Sequence, residues 1–180
     1  NMDEEQDYHE HKDPNERSGP YNPYEITVTI SLIQGLRKHY QQERIVVITP
    51  YKRQMGLLRK AVKNTNLSCV DVNTIDAFQG DAADLVIYCM TRSRRRTRYF
   101  SDYARLNVAF SRTKNMLIII GALKYLKSYP QDHALHVIAE YLQENNLLLS
   151  YRQLCKFTDF DWAWSASSKV SQSVISEPAG

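Results

Sequence analysis

Apolar and polar positions fall along this chain in two kinds of block: short runs that are apolar at nearly every position, and longer stretches with helical spacing. Ile45-Val46-Val47-Ile48, closed by Pro50, reads as a strand buried on both faces and stopped by a residue that has no N–H to give. Val70 to Ile75, Asp84 to Met90 and Met116 to Ile120 read as three more strands. Ile26, Ile30, Ile33 and Leu36 recur at helical spacing after Asn22-Pro23-Tyr24-Glu25, a helix start with Asn22 as N-cap, Pro23 at the first helical position and Glu25 reaching back in a capping box.

The same spacing predicts a helix over Lys52 to Asn64 burying Met55, Leu58 and Val62, and another over Tyr103 to Arg112. A further helix over Asp132 to Glu144, with Leu135, Ile138, Ala139 and Leu142 on one side, is expected to pack back on the sheet. This alternation predicts an α/β fold, a parallel sheet covered by helices on both faces. Residues 1–20 are polar, with too little apolar surface to offset the entropy of ordering, and are expected to form a flexible acidic lead-in. Residues 21–157 form the expected globular domain and 158–180 a Ser-rich, flexible tail, in which Trp162 and Trp164 are large enough to suggest docking on the domain or on a partner.

Composition narrows the class. At 180 residues and 43% hydrophobic the chain has material for one domain. The net charge of +3 conceals an asymmetry: residues 1–17 hold seven acidic against two basic side chains, so the remainder is +8, a balance that suits a polyanion partner. No apolar stretch approaches the ~20 residues of a membrane span, and the acidic start does not resemble a signal peptide, so an intracellular protein, cytoplasmic or nuclear, is expected. Cys69, Cys89 and Cys155 are far apart and read as buried free thiols; His9-Glu10-His11 lacks the spacing of a metal-binding helix, and no metal site is expected.

The candidate chemistry lies at the predicted strand ends. Arg105 and Arg112, seven residues apart, would project from nearly one helical face and offer cations to a transferring phosphate; the alternative is that they pair with local carboxylates such as Asp76 or Asp102. Gln79-Gly80 is either a tight turn or a place where glycine lets the backbone approach a phosphate. Thr49, Pro50 and Tyr51, followed by Lys52 and Arg53, combine a hydroxyl, an aromatic face and cations, the parts of a single-strand contact surface; Thr74 and Asp76 place a hydroxyl and a carboxylate at a neighbouring strand end. Arg92-Ser-Arg-Arg-Arg-Thr-Arg98 is a basic loop, fit either to grip a backbone or to stay solvated.

Thr-Pro-Tyr-x-x-Gln at 49–54, Val72 to Gly80 and Arg105 to Arg112 together resemble motifs IV, V and VI of the second RecA-like domain of superfamily 1 helicases of the nonsense-mediated-decay (superfamily 1B, AAA_12) type, and Asn22 with Glu25 matches that family's Asn-x-x-Glu helix start. The resemblance covers about residues 20 to 147. It implies a RecA-like P-loop NTPase fold in which Arg112 reaches the γ-phosphate of ATP, Gln79 and Gly80 border the nucleotide, and Arg105 supports that site. Thr49, Pro50, Tyr51, Thr74 and Asp76 would then face a single strand of RNA or DNA.

Two departures qualify the resemblance. Where many members carry Glu two positions after the motif V glycine, this chain has Ala82, with Asp81 and Asp84 as substitutes. No Gly-x-x-x-x-Gly-Lys-Ser/Thr is present, nor a strand ending in an Asp-Glu pair that holds magnesium. In this family both belong to a first RecA-like domain, which would bind most of ATP and Mg2+. The expectation is therefore one half of an ATP-dependent helicase or translocase motor that does not turn over ATP alone. The rival is a non-catalytic nucleic-acid-binding or scaffold module whose nucleotide site has decayed.

Overall fold

The computed structural model describes residues 9–12, 19–67, 69–78, 81–101, 103–150 and 153–154. Four strands, β1 (Ile45–Ile48), β2 (Val70–Asn73), β3 (Ala83–Cys89) and β4 (Thr113–Ile120), form one parallel sheet in the order β2-β1-β3-β4. Among the described residues five named α-helices accompany them: α1 (Pro23–Arg37), α2 (Lys52–Asn64), α3 (Tyr103–Ser111), α4 (Leu123–Lys127) and α5 (Ala134–Glu144).

Because successive strand residues point to opposite faces, each strand feeds two cores. Ile45, Val47, Leu85, Ile87 and Cys89 pack with Val28, Ile33 and Leu36 of α1 and Leu58 of α2. Val46, Ile48, Val86 and Tyr88 pack with Leu106 and Ala109 of α3, Tyr125 and Leu126 of α4, and Leu135 and Ala139 of α5. Every residue of β1 is 0% exposed, which is why its sequence runs without alternation. Each such aliphatic side chain contributes about 1.5–3 kcal/mol by leaving water. The result is the RecA-like α/β arrangement, with helices on both faces.

From β1 the chain moves through α2 to the sheet edge at β2, then returns to the other side of β1 for β3 and continues through α3 to β4. The direction of travel reverses between β1 and β3, and the C-terminal ends of those strands flank the crevice where open α/β sheets take ligands.

Several details differ from the sequence expectations. α3 ends at Ser111 and Arg112 forms the turn into β4, which starts early because Thr113 pairs with Ala83. The short helix α4 has too few residues to show a period. His133 caps α5 by accepting from the Leu135 N–H at 3.2 Å, so that helix begins two residues later than expected. Cys89 is buried as expected, but Cys69 is exposed, held in the left-handed region (φ 54°) at the turn before β2, where its carbonyl accepts from Ile45 N. His11 and Tyr21 form an antiparallel bridge through bonds of 2.7 and 2.9 Å, so the described part of the expected flexible lead-in lies packed on the domain. Cys155, Trp162, Trp164 and the whole of 158–180 lie outside the described residues.

Candidate functional site

At the C-terminal edge of the sheet, Thr49 directly follows β1 and its N–H donates to the Asn73 carbonyl at 3.1 Å. Thr49 is completely buried, and its hydroxyl meets that of Thr91, just beyond β3, at 3.0 Å. Pro50 and Tyr51 are the partly exposed residues of this strand end. The Tyr51 ring lies 6.0 Å from that of Tyr99, and a Cβ at Gly19 would stand 3.4 Å from its Cδ1. Thr74 is half-buried beside it after β2, while Asp76 is exposed in a short 3-10 turn, Asp76–Phe78.

Glu25 does not close the capping box. Asn22 caps α1 as expected, accepting from Glu25 N at 3.1 Å, but the Asn22 N–H donates to Gln54 Oε1 at 2.8 Å and the Glu25 carboxylate turns inward to the Thr91 N–H at 2.8 Å. Thr91 lies beyond the strand pairing, so its amide needs an acceptor inside the fold. Burial pushes the Glu25 carboxyl up to about 8, against the pull of the Thr91 hydrogen bond and with the Glu10 charge adding to the rise.

Arg105 belongs to this same side. Its Nε is 3.8 Å from Asp76 Oδ1, and its guanidinium stands 5.2 Å from the centre of the Tyr99 ring. The carboxylate pairing weighed for it in the sequence is therefore present, although both side chains are largely solvent-exposed and the pair is weak.

Arg112 sits at the opposite, N-terminal edge, about 10 Å further along the axis of α3. It lies one residue past the last helical residue, in the turn into β4. Its carbonyl accepts from Ala83 N at 3.1 Å, which fixes the backbone between two strands. Among the described residues no carboxylate pairs with its guanidinium, and its Nε is buried without a hydrogen-bond partner. Gln79 and Gly80 lie outside the described residues; the segment resumes at Asp81 next to this edge.

The two carboxylates that could replace the missing glutamate at position 82 are already engaged. Asp81 contacts Arg44 at 2.9 Å (Oδ1) and 2.7 Å (Oδ2) and caps Ala82 N at 2.8 Å; the Arg44 bond and then the Ala82 amide hold its carboxyl below the usual range. Asp84 accepts from Arg44 N at 2.9 Å and lies 3.8 Å from Lys114 Nζ. Among the described residues no group of His, Cys, Asp and Glu is arranged to hold a metal ion, and no helix is long and apolar enough to cross a membrane.

Sequence reasoning did not single out the polar residues that build the crevice: Gln54, which is fully buried, Thr91, Ser93 and Glu10. Gln54 carried a signal, as the last position of Thr-Pro-Tyr-x-x-Gln. The others depend on contacts across more than sixty residues.

Residues 2–124 match the AAA_12 family profile, described as an AAA domain. The chain is 32% identical over 118 residues to helicase sen1 of Schizosaccharomyces pombe, covering 60% of this chain and 7% of that protein. It is 31% identical over 123 residues to DNA polymerase alpha-associated DNA helicase A of Saccharomyces cerevisiae, covering 62% and 18%. With DNA replication ATP-dependent helicase/nuclease DNA2 of Mus musculus the identity is 32% over 108 residues, 58% of this chain and 10% of that one. The chain thus spans less than a fifth of the length of these relatives.

Proposed function

Since the chain belongs to the AAA_12 family as a superfamily 1 helicase domain, we propose that it is the second RecA-like half of an ATP-dependent helicase or translocase acting on single-stranded RNA or DNA. The observation that carries this reading is Arg112: an arginine pinned by its backbone between β3 and β4, with no carboxylate partner among the described residues and its Nε buried without an acceptor. Left alone, such a group carries an unmet hydrogen-bonding demand. The side chain as a whole is partly exposed, so a γ-phosphate presented by the first domain approaches the outer end of the guanidinium, and an arginine already in place stabilises the charge in transfer most.

ATP supplies the scissile phosphoanhydride bond, with Mg2+ held by the first domain. Gln79 and Gly80 complete this domain's share of the nucleotide side, whereas Arg105, 3.8 Å from Asp76, stands with the strand-facing residues. At the other edge Pro50, Tyr51, Thr74 and Asp76 face the single strand, with Thr49 holding that strand end from within through Thr91. Closing and opening of the two domains then moves this grip along the strand.

The test is ATP turnover by the protein carrying both domains. Stimulation by single-stranded nucleic acid is expected. Ala82, with Asp81 and Asp84 committed to Arg44, favours one other reading, a binding module whose nucleotide site has decayed. Tight strand binding with no ATP dependence and no hydrolysis would establish that module instead.

A further inference from the structure

Where Thr91, Arg92 and Ser93 leave β3, two carboxylates from distant parts of the chain hold the backbone. Glu25 takes the Thr91 N–H. Glu10 accepts from the Ser93 N–H at 2.9 Å and from the Ser93 hydroxyl at 2.5 Å, and its other oxygen lies 3.5 Å from Arg92 Nε. His9 Nδ1 stands 3.1 Å from the same hydroxyl. Thr91 has φ 66°, a left-handed conformation that a β-branched residue adopts only when its surroundings impose it.

A backbone N–H, a hydroxyl and a guanidinium converging on one point make the donor set of an oxyanion site. Glu10 fills it incompletely. Arg92 Nε is buried and has no hydrogen-bond partner, because the nearest Glu10 oxygen stops at 3.5 Å, too far for a well-formed bond; the other end of the guanidinium reaches the Arg95 carbonyl at 3.3 Å. A phosphodiester, whose single negative charge is shared by two non-bridging oxygens spread tetrahedrally, can serve Ser93 and Arg92 together. Arg94, Arg95, Arg96 and Arg98 stand exposed beside it, a surface for the neighbouring phosphates.

Among the described residues, the stretch that carries Glu10 pairs with the domain outside the sheet. The isolated His11–Tyr21 bridge closes its segment, and the Tyr21 ring lies under Arg53 at 4.2 Å. Withdrawing Glu10 breaks no strand of the sheet.

We propose that the Ser93 amide and hydroxyl with the Arg92 guanidinium form a phosphodiester-binding site for the single strand, and that Glu10 is its intramolecular competitor, occupying it while no nucleic acid is bound. This rests on the reading that the C-terminal edge faces a strand. The experiment is fluorescence anisotropy of a labelled short oligouridine titrated with the 180-residue chain across a salt series, with thermal unfolding to verify each variant.

Glu10→Gln is expected to tighten binding at least about 3-fold, and Arg92→Ala both to abolish that gain and to lower the salt slope by about 0.7, the loss of one phosphate contact. If Glu10→Gln does not fold, Glu10→Asp, which draws the carboxylate back, is expected to tighten binding by a smaller factor. Equal affinity for wild type and the folded Glu10 variant overturns the competitor. An Arg92→Ala slope equal to wild type overturns the site. Binding that is measurable but indifferent to all these changes sinks this inference alone, whereas no binding by any of the chains sinks the strand-facing reading with it.

Discussion

The two edges of the sheet solve the problem of polar residues in opposite ways. At the C-terminal edge, the exposed Arg105–Asp76 pair aside, they are buried and consume one another: Thr49 with Thr91, Glu25 with Thr91, Asn22 with Gln54. At the N-terminal edge they are charged and stay in solvent, with Arg44 between Asp71 and Asp81 and Lys114 near Asp84. A buried network fixes backbone geometry because any broken bond leaves a desolvated group unpaired. Exposed ion pairs contribute little individually and rearrange freely. The first edge is therefore a rigid platform that presents Pro50 and Tyr51, while the second is the edge at which we propose that Arg112 meets a phosphate brought from outside the domain.

The sharpest way to break this comparison is at Arg112. In the two-domain protein Arg112→Ala is expected to lower nucleic-acid-stimulated ATP turnover by at least about 10³-fold, the scale of a positioned arginine in phosphoryl transfer. Unfolding temperature and strand binding without ATP should stay as in wild type, since the side chain pairs with no described carboxylate. Arg112→Lys should recover little, because an ammonium cannot reproduce the planar donor fork. Turnover that survives in Arg112→Ala would remove the N-terminal edge from the chemistry.

At the opposite edge the largest effect is on stability and follows from Glu25. Its carboxyl is raised to about 8 in the fold from an ordinary value of 4.5. Between those values the folded protein holds a proton that the unfolded chain has released, so stability falls as pH rises through that window and levels off above it. Glu10 and the buried Cys89 thiol are the neighbouring groups whose charge works against Glu25 ionising, or is worked against by it. Glu25→Gln keeps an acceptor for the Thr91 N–H and removes the ionisation. It should flatten the pH dependence of urea unfolding and stabilise the protein near pH 9 by an amount on the order of a few kcal/mol. A wild-type profile that is flat from pH 5 to about 8 would show that the carboxyl is not buried as described.

How much of this was legible in the sequence depends on how far each feature reaches along the chain. α2 begins and ends where periodicity puts it, Lys52–Asn64, because Pro50 stops β1 and the apolar stripe is local. The all-apolar β1 announced a central strand for the same reason. The crevice was not legible, since Glu25 looks like a capping residue until Thr91 arrives from 66 positions away, and Gln54 looks like a solvated helix start until Asn22 claims it. The end of α3 was legible only to within one residue, since Arg112, expected as its last position, forms the turn into β4.

Tyr51 tests whether the platform has an outward purpose. Base stacking on an aromatic contributes about 1–3 kcal/mol per base, so Tyr51→Ala should weaken oligouridine binding by about 5- to 150-fold. The Thr49–Thr91 and Glu25–Thr91 bonds lie beneath it and remain intact. ATP turnover of the two-domain protein in the absence of nucleic acid should not change. Wild-type affinity in this variant would confine the edge to a structural role.

The smallest effect is expected at Arg44, and its smallness is what separates the edges. Arg44 bonds Asp71 through Nε and Nη2 at 3.0 and 2.8 Å and reaches Asp81 and the Ala82 carbonyl, yet its side chain is 39% exposed and those of its partners about half. Water screens such charges and salt screens them further. Arg44→Ala should lower the unfolding temperature by no more than about 4 °C in dilute buffer, and the difference should vanish in 1 M salt, where the Debye length is ~3 Å. Gln54→Ala, which removes the Gln54 Oε1 bond to the buried Asn22 amide, should cost about 1–3 kcal/mol, unaffected by salt. If the Arg44 variant proves the less stable of the two, the N-terminal edge is held by its charges after all, and the division between a rigid edge and a free one fails.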